Sequence, residues 1–513
     1  MTSLATNLLG TLLLSIILFT AFDARGAPFR KSMRIWVHVN VYDLGIDLDA
    51  ETTEAHLPPN PKRNLTQLEA ETRFAQIEPG SVHYDVSLYL KKGPIFTGEV
   101  WMRFKTQKTT DVFFDYVGID YQVLSINKQS TSDEKFDRKD GIVTIPHDML
   151  DLPGQENLVR IRFENNYSND GLGLHSNTDV DGAQYLWSQG EMAWANRVFP
   201  CFDQPDIKAP MKLTVKTHYD WVAISNEPLL RKVEGGEFIT WTFQETKPLP
   251  PYLFHVTAGE YQSIQASEKF VYNGITQTLY CKKTLFEFAK KQADMIFEGV
   301  MTSIKGFEAI YRFSYPFSKA DTIFVPDFYY TAMENPGAVI YSEKLLYRHE
   351  NPSVTEISFR NYVINHEYAH MWFGNTVTLK WWSDIWLNEA FADYAAILNS
   401  ADQYEQGVLS FKIDNPWVRV ISSYAKAMQD DQLSSTHPIA NVCKDIGDAE
   451  ANFDALTYFK GNATLKQLFF VIGRKNFSQA MQQYFEKLNF KNATLDDLLG
   501  TFVDQICNFF PVK

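Results

Sequence analysis

The sequence predicts an α+β multidomain protein in which an N-terminal antiparallel β domain precedes a mainly helical domain. Between residues 76 and 261, short alternating segments such as 84–90 and 100–104 are separated by Gly, Pro, Asn and Asp, a pattern typical of antiparallel strands. From Phe286 onward the apolar spacing changes to the helical period. We therefore predict an N-terminal leader at 1–26, an extension and linker at 27–75, the β domain at 76–261 and the second domain at 262–513.

The second domain is predicted to contain four long helical stretches. Apolar residues recur every three to four positions at 286–311, 354–373, 384–399 and 455–472. No internal repeat and no Gly-rich phosphate loop following a strand interrupts this order.

Length and charge narrow the classes of function. The chain has 513 residues, of which 45% are hydrophobic and 14% aromatic, enough for large cores or ring-lined clefts. Lys and Arg number 48 against 62 Asp and Glu, giving a net charge of −14. This balance disfavours nucleic acid as a partner and suits clefts that attract cationic ligand groups.

The N-terminus is typical of a secretory signal peptide. Residues 1–22 carry no charged side chain, their apolar stretch is shorter than the roughly 20 residues of a spanning helix, and Ala24 and Gly26 precede a possible cleavage point. We expect a secreted, extracellular or secretory-pathway protein. Because residues 1–7 lack Lys and Arg, an uncleaved membrane anchor remains the alternative, and any membrane association is expected through this segment alone.

Cysteines and glycosylation patterns are less informative. Cys201, Cys281, Cys443 and Cys507 are too few for a disulfide framework in a chain of this length, and three pairings remain open. Asn-x-Ser/Thr triplets begin at Asn64, Asn166, Asn462, Asn476 and Asn492.

The strongest chemical motif is His-Glu-x-x-His at 366–370. On a helix, His366 and His370 share one face and can bind one metal, with Glu367 beside them. Glu389 follows after 18 residues in a second helical stretch, where a helix hairpin can supply it as a third ligand. Two imidazoles and a carboxylate suit Zn²⁺ with one coordination position open, as in a catalytic site. Asp393, one turn after Glu389, is predicted to accept a hydrogen bond from a ligand histidine.

With these residues the chain resembles the aminopeptidase N family of zinc metallopeptidases, from about Asn64 to about Leu499. The zinc signature comprises 366–370, 372–375 and 386–389. Residues 332–335, Ala-Met-Glu-Asn, resemble the exopeptidase signature, 189–191 and 197–205 resemble the β-domain segment that reaches the active site, and 453–461 resemble the segment that bears a catalytic tyrosine. The resemblance implies that the second domain is a thermolysin-like catalytic domain.

The resemblance also implies roles for individual residues. Glu367 is expected to act as general base and Tyr458 to stabilise the oxyanion. Glu334 and Glu191 are expected to hold the free N-terminus of a peptide substrate, with Gln189, Ala332 and Met333 completing the substrate site. One Zn²⁺ per chain is the expected cofactor.

Two departures from the family pattern keep alternatives open. Thr331 stands where Gly is usual, and the chain ends at Lys513, apparently without the usual C-terminal domains. Besides an aminopeptidase, these departures allow a catalytically impaired member that binds a peptide or a partner. Epoxide hydrolysis, found in one branch of the family, is disfavoured because Glu450 and Phe453 replace that branch's Asp and Tyr.

Overall fold

The structure is a computed structural model that describes residues 63–127, 129–131 and 136–509. The predicted leader at 1–26 and most of the predicted extension lie outside the described residues. Within those residues, no helix has both the length and the apolar composition needed to span a membrane.

The strands, in chain order, are β1 His83–Tyr89, β2 Ile95–Lys105, β3 Val112–Asp115, β4 Asp120–Ile126, β5 Gln129–Ser130, β6 Asp137–Lys139, β7 Ile142–Ile145, β8 Glu156–Asn166, β9 Gly173–Thr178, β10 Gln184–Gln189, β11 Met211–His218, β12 Val222–Ser225, β13 Leu229–Gly235, β14 Phe238–Phe243, β15 Val256–Gly259, β16 Gln262–Gln265, β17 Thr278–Cys281, β18 Asp321–Val325, β19 Ala332–Met333, β20 Ala338–Ser342, β21 Thr378–Leu379 and β22 Asn492–Ala493.

The helices are α1 Gln67–Phe74, α2 Phe286–Tyr311, α3 Val354–His370, α4 Ile385–Gln406, α5 Trp417–Asp430, α6 Ile446–Ala451, α7 Gly461–Leu488 and α8 Leu495–Phe509. A π-helical turn, Leu456–Lys460, precedes α7. Within α7 the helix breaks at Gly473, whose φ of +73° is a left-handed conformation that glycine adopts without strain.

Strands up to β15 form the β domain. Among the described residues an eight-stranded sheet has the order β13-β14-β11-β1-β2-β8-β4-β5, and smaller sheets have the orders β12-β15-β10-β9 and β3-β7-β6. Pairing is antiparallel, as predicted, except that β1 lies parallel to β11. Alternate residues of β1 and β8 are buried, so period-2 patterning places one face on the core. Every residue of β10 is buried, and this strand carries Gln189 into the site.

The second domain begins with a mixed five-stranded sheet of order β16-β17-β18-β20-β19, followed by the helices. Helix α2 has the predicted bounds, whereas α3 ends at His370, three residues early, and α4 and α7 continue well past their predicted ends. The predicted fold class, a β domain followed by a mainly helical domain, is confirmed.

Helix α1 lies in the predicted extension but packs on the β domain. Arg73, fully buried, pairs with Asp115 at 2.6 Å and donates to Gln204 at 2.5 Å. Arg63 pairs with the same carboxylate at 3.0 Å. Two guanidinium groups on one buried carboxylate attach this segment to the sheet.

Candidate active site

The two histidines of the motif lie at the end of α3. The helix starts at a capping box in which Ser353 and Glu356 satisfy each other's backbone N–H groups, and it ends at His370. The spacing of four residues brings His366 Nε2 and His370 Nε2 to 3.1 Å from each other. Both nitrogens therefore face one point, as the sequence predicts.

Helix α4 supplies the carboxylate that completes this group. It packs antiparallel against α3, and Glu389 Oε2 lies 3.4 Å from His366 Nε2 and 3.5 Å from His370 Nε2. Burial raises the pKa of Glu389, but the adjacent His370 and His366 outweigh it and hold that pKa well below its usual range. Glu389 is therefore an anionic donor at neutral pH.

These three side chains fit a zinc ion. His370 Nδ1 donates to the carbonyl oxygen of Phe373 at 3.0 Å, so Nε2, which faces the site, is the nitrogen available to bind a metal. Burial lowers the pKa of His370, whereas Glu334 and Glu389 raise it, to about 10. The surrounding carboxylates thus favour positive charge at this point, and two imidazoles with one carboxylate form a usual catalytic zinc donor set.

Glu367 follows His366 directly and is buried in the same cluster. Burial raises its pKa well above the usual range, and the charges of Glu334 and Glu389 add to the rise while His370 opposes it. Its carboxyl group therefore belongs to the same buried cluster as His370, Glu334 and Glu389.

A second group of acids lies next to His366 and His370 and shares Glu389 with them. Carboxylate oxygens of Glu191, Glu334 and Glu389 all lie within 4.8 Å of one another. Glu334 Oε1 is 3.9 Å from His370 Nδ1, which places this acidic pocket on the His370 side of the zinc ligands. Burial and the charges of Glu334 and Glu389 raise the pKa of Glu191 well above its usual range.

The acidic pocket contains acceptors that lack donors. Glu191 Oε1 and Glu334 Oε1 are buried without a hydrogen-bond partner. Gln189 Oε1, two residues before Glu191 at the end of β10, is also buried and unpartnered. A buried acceptor without a donor lowers the stability of the folded state. Three such acceptors in one site therefore indicate a ligand that donates several hydrogen bonds.

The exopeptidase signature forms the edge of the five-stranded sheet. Ala332 and Met333 constitute β19, which pairs with β20 on one side only within the described sheet. The carbonyl oxygen of Glu334 accepts a hydrogen bond of 2.8 Å from Asn375 Nδ2. Thr331, at the position where glycine is usual, has an exposed side chain, and its carbonyl oxygen accepts from the Ser342 N–H at 2.9 Å. Its side chain therefore does not enter the buried core.

Tyr458 belongs to the π-helical turn and lies against His366. Its ring stacks on His366 at 6.2 Å between centroids, with an interplanar angle of 24°. Burial, the charge of Glu389 and a hydrogen bond to it raise the pKa of Tyr458 well above its usual range, so the hydroxyl keeps its proton. Phe453 packs edge-on against this ring at 5.3 Å and also contacts Tyr330.

Asp393 does not accept the predicted hydrogen bond from a ligand histidine. Its carboxylate instead accepts from the hydroxyl of Tyr362 and from the amide of Asn462. His366 Nδ1 is buried without a partner. Tyr362, one turn before His366 on α3, donates to one oxygen of this carboxylate and Asn462 donates to the other.

Two residues near the site, Lys208 and Tyr252, belong to no sequence motif. Lys208, buried in the β domain, donates to the carbonyl oxygens of Asn375 and Thr376 in the loop after α3. The hydroxyl of Tyr252 is buried without a partner, and the charges of Glu334 and Glu191 act on it. Neither carries a local sequence signal, because each reaches the site through contacts distant in sequence.

Two protein-family models match the chain. Residues 295–509 match the peptidase family M1 domain, and residues 80–253 match the peptidase M1 N-terminal domain.

Several curated aminopeptidases are similar to the chain. Aminopeptidase N of Streptomyces lividans is 34% identical over 451 residues, which are 86% of this chain and 50% of that protein. Leucyl aminopeptidase of Saccharolobus solfataricus is 31% identical over 343 residues, 66% of this chain and 42% of that protein. Aminopeptidase M1-A of Oryza sativa subsp. japonica is 33% identical over 351 residues, 68% of this chain and 38% of that protein. The chain thus spans about half or less of the length of these relatives. With both family domains in order and the histidines and acids of the motif gathered in one site, the chain belongs to peptidase family M1.

Proposed function

We propose that the chain is a zinc-dependent aminopeptidase that hydrolyses the N-terminal residue from peptides. The proposal rests on two groups of side chains that lie next to each other. The predicted zinc ligands, His366, His370 and Glu389, lie directly against an acidic pocket in which Glu191 and Glu334 present unpartnered oxygens. The similar proteins named above are aminopeptidases, which supports the same activity here.

The pocket suits the α-ammonium group of a peptide. An ammonium group donates three hydrogen bonds, and the buried oxygens of Gln189, Glu191 and Glu334 are acceptors without donors. Such bonds to carboxylates are charge-assisted and favour a free N-terminus over a blocked one. The free edge of β19, at Ala332 and Met333, offers backbone groups to the substrate main chain.

The remaining residues support hydrolysis next to this pocket. The chemistry that a zinc ion supplies when held by His366, His370 and Glu389 is a lowered pKa for water and a polarised carbonyl. Glu367 takes the proton from the attacking water and passes it to the leaving amine. Tyr458 donates a hydrogen bond from its hydroxyl to the developing oxyanion.

We also propose that the protein enters the secretory pathway, on the basis of the leader at 1–26. This segment lies outside the described residues, so the proposal rests on the sequence alone.

The test is hydrolysis of amino-acid amide reporters by the purified chain, with and without zinc. We expect zinc-dependent release of the reporter group. Glu367→Gln should lower kcat by a factor of roughly 10²–10⁴ while the zinc content stays unchanged. Glu405→Gln, at an exposed position near the end of α4, is the matched control and should keep wild-type activity. A folded, zinc-loaded chain that releases nothing would refute the proposal.

A further inference from the structure

Three aromatic side chains follow one another along α3 from the predicted zinc ligand His366. Phe359, Tyr362 and His366 follow one another at intervals of three and four residues and are only partly buried, whereas most of their neighbours on α3 are buried. The rings of Phe359 and Tyr362 stack at 6.5 Å with an interplanar angle of 20°. The ring of Tyr362 lies 6.2 Å from that of His366. These three side chains form an aromatic stripe that begins at the metal ligands.

The stripe and the acidic pocket lie on different sides of the metal ligands. The pocket is reached from His370, whose Nδ1 lies 3.9 Å from Glu334 Oε1, whereas the stripe starts at His366. A peptide whose ammonium group is held by Glu191 and Glu334 has its first carbonyl group at the metal ligands. For the stripe to contact a bound peptide, the residues after the scissile bond must extend toward His366 and Tyr362.

Arg419 on α5 lies over this stripe. Its Cζ is 3.8 Å from the ring centroid of Tyr362 and 5.2 Å from that of Phe359. Its Nε is buried and has no hydrogen-bond partner. The nearby carboxylate of Asp393 already accepts from the Tyr362 hydroxyl and from Asn462. A guanidinium group placed over two aromatic rings, with its Nε–H lacking a partner, is suited to a carboxylate.

We infer that Arg419 selects peptides that carry a carboxylate on the second residue, an inference that rests on the proposed aminopeptidase function. The carboxylate has two possible sources, the side chain of an acidic second residue and the C-terminus of a dipeptide. Both sources place the same group beyond the scissile bond, over the aromatic stripe.

The experiment compares kcat/KM of the zinc-loaded protein for matched dipeptides. Leu-Asp-amide against Leu-Asn-amide tests a side-chain carboxylate, and Leu-Leu against Leu-Leu-amide tests a C-terminal one. We expect wild type to prefer the carboxylate member of at least one pair by roughly tenfold, since a hydrogen bond to a charged group is worth more than a neutral one. The pair that shows the preference identifies the source of the carboxylate.

Variants at position 419 test whether Arg419 causes the preference for a carboxylate. Arg419→Gln should bring the ratio within each pair close to one, and Arg419→Lys should retain part of it. Arg348→Gln, at an exposed arginine outside the stripe, should keep the wild-type ratio.

Two results would overturn the inference while leaving the proposed function intact. One is equal use of both members of each pair by wild type. The other is a parallel loss on all substrates in Arg419→Gln with the ratios unchanged, which would indicate that Arg419 only supports Tyr362. Failure of the zinc-loaded wild type to cleave any dipeptide or reporter would instead refute the aminopeptidase proposal itself, and this inference with it.

Discussion

The ammonium group of Lys208 in the β domain lies 3.2 Å from the carbonyl oxygen of Asn375, which follows the zinc-motif helix. The same group lies 3.0 Å from the carbonyl oxygen of Thr376. Burial lowers the pKa of Lys208 well below its usual range. Asn375 in turn donates its side-chain amide to the carbonyl oxygen of Glu334. One buried lysine thus connects the β domain, the loop after α3 and the acidic pocket.

Replacing this lysine should destabilise the protein. Lys208→Met keeps most of the side-chain volume but leaves two buried carbonyl groups without a donor, so the free energy of unfolding should fall by about 1–3 kcal/mol. Urea denaturation measures the change. Lys412→Met, at an exposed position, should change it by less than about 0.5 kcal/mol. Equal midpoints for Lys208→Met and wild type would contradict the assigned role.

His255 should make stability depend on pH. The ring is buried between the hydroxyls of Ser188 and Thr257, and burial, with Lys319 nearby, lowers its pKa to about 3. In the unfolded chain a histidine has a pKa of about 6.5. Between these values the unfolded state binds a proton that the folded state does not bind, so stability rises with pH in this window and is lost as the pH falls.

The size of this effect follows from the two pKa values. Between pH 7 and pH 4 the contribution of His255 amounts to about 3 kcal/mol. His255→Gln does not titrate, so any stability deficit it shows at pH 7 should shrink by this amount at pH 4. Denaturant unfolding at both values measures it, with His349→Gln, at an exposed position, as the control. A deficit for His255→Gln that does not change with pH would rule out a neutral buried ring.

Local patterns in the sequence predict the fold class and the centre of the site. Period-2 and period-3.6 spacing identify the β and helical domains, and α2 has its predicted bounds because its apolar positions repeat over the whole length. His366 and His370 converge because four residues span just over one helical turn.

Contacts between distant segments account for what the sequence does not predict. Lys208 meets Asn375 across 167 residues of chain, and no local period encodes that pairing. The parallel pairing of β1 with β11 likewise joins distant segments. Helical spacing alone predicts a histidine donor for Asp393, whereas Tyr362 donates to it from the neighbouring helix.

Zinc should stabilise the protein through His366, His370 and Glu389. A ligand that binds the folded state alone adds about 4 kcal/mol when present at 1,000 times its Kd. A chelator should therefore lower Tm, and added zinc should restore it. His370→Ala should abolish the zinc-dependent increase in Tm, whereas His147→Ala, at an exposed position, should retain it. A zinc response in His370→Ala equal to that of wild type would exclude this donor set.

Three of the five predicted glycosylation triplets should carry no glycan. Asn462 is 1% exposed and donates to Asp393. The side-chain amide of Asn476 donates to the carbonyl oxygen of Ile472, and that of Asn492 donates to two backbone carbonyls. A glycan on any of these nitrogens would remove bonds of the folded state.

Asn64 and Asn166 are the compatible positions, because both residues are exposed. Expression through a eukaryotic secretory route, followed by enzymatic deglycosylation, should reveal two glycans. Asn64→Gln and Asn166→Gln should each remove one of them, and Asn476→Gln should leave the gel mobility unchanged. A glycopeptide containing Asn462 from folded protein would contradict its burial.

The acidic pocket should be sensitive to a single methyl group at Gly190, which lies between Gln189 and Glu191. A Cβ at this position would lie 2.5 Å from the carbonyl oxygen and 2.8 Å from the Cα of Tyr252, so the backbone must move. Gly190→Ala should cost about 1–3 kcal/mol in stability and, by displacing Glu191, raise KM for substrates with a free N-terminus. Gly235→Ala is the matched control because no atom lies within 4 Å of its Cβ. Because the displacement of Glu191 affects binding of the ammonium group, KM should change by a larger factor than kcat. A fall in kcat with KM unchanged would show that Glu191 does not bind the ammonium group.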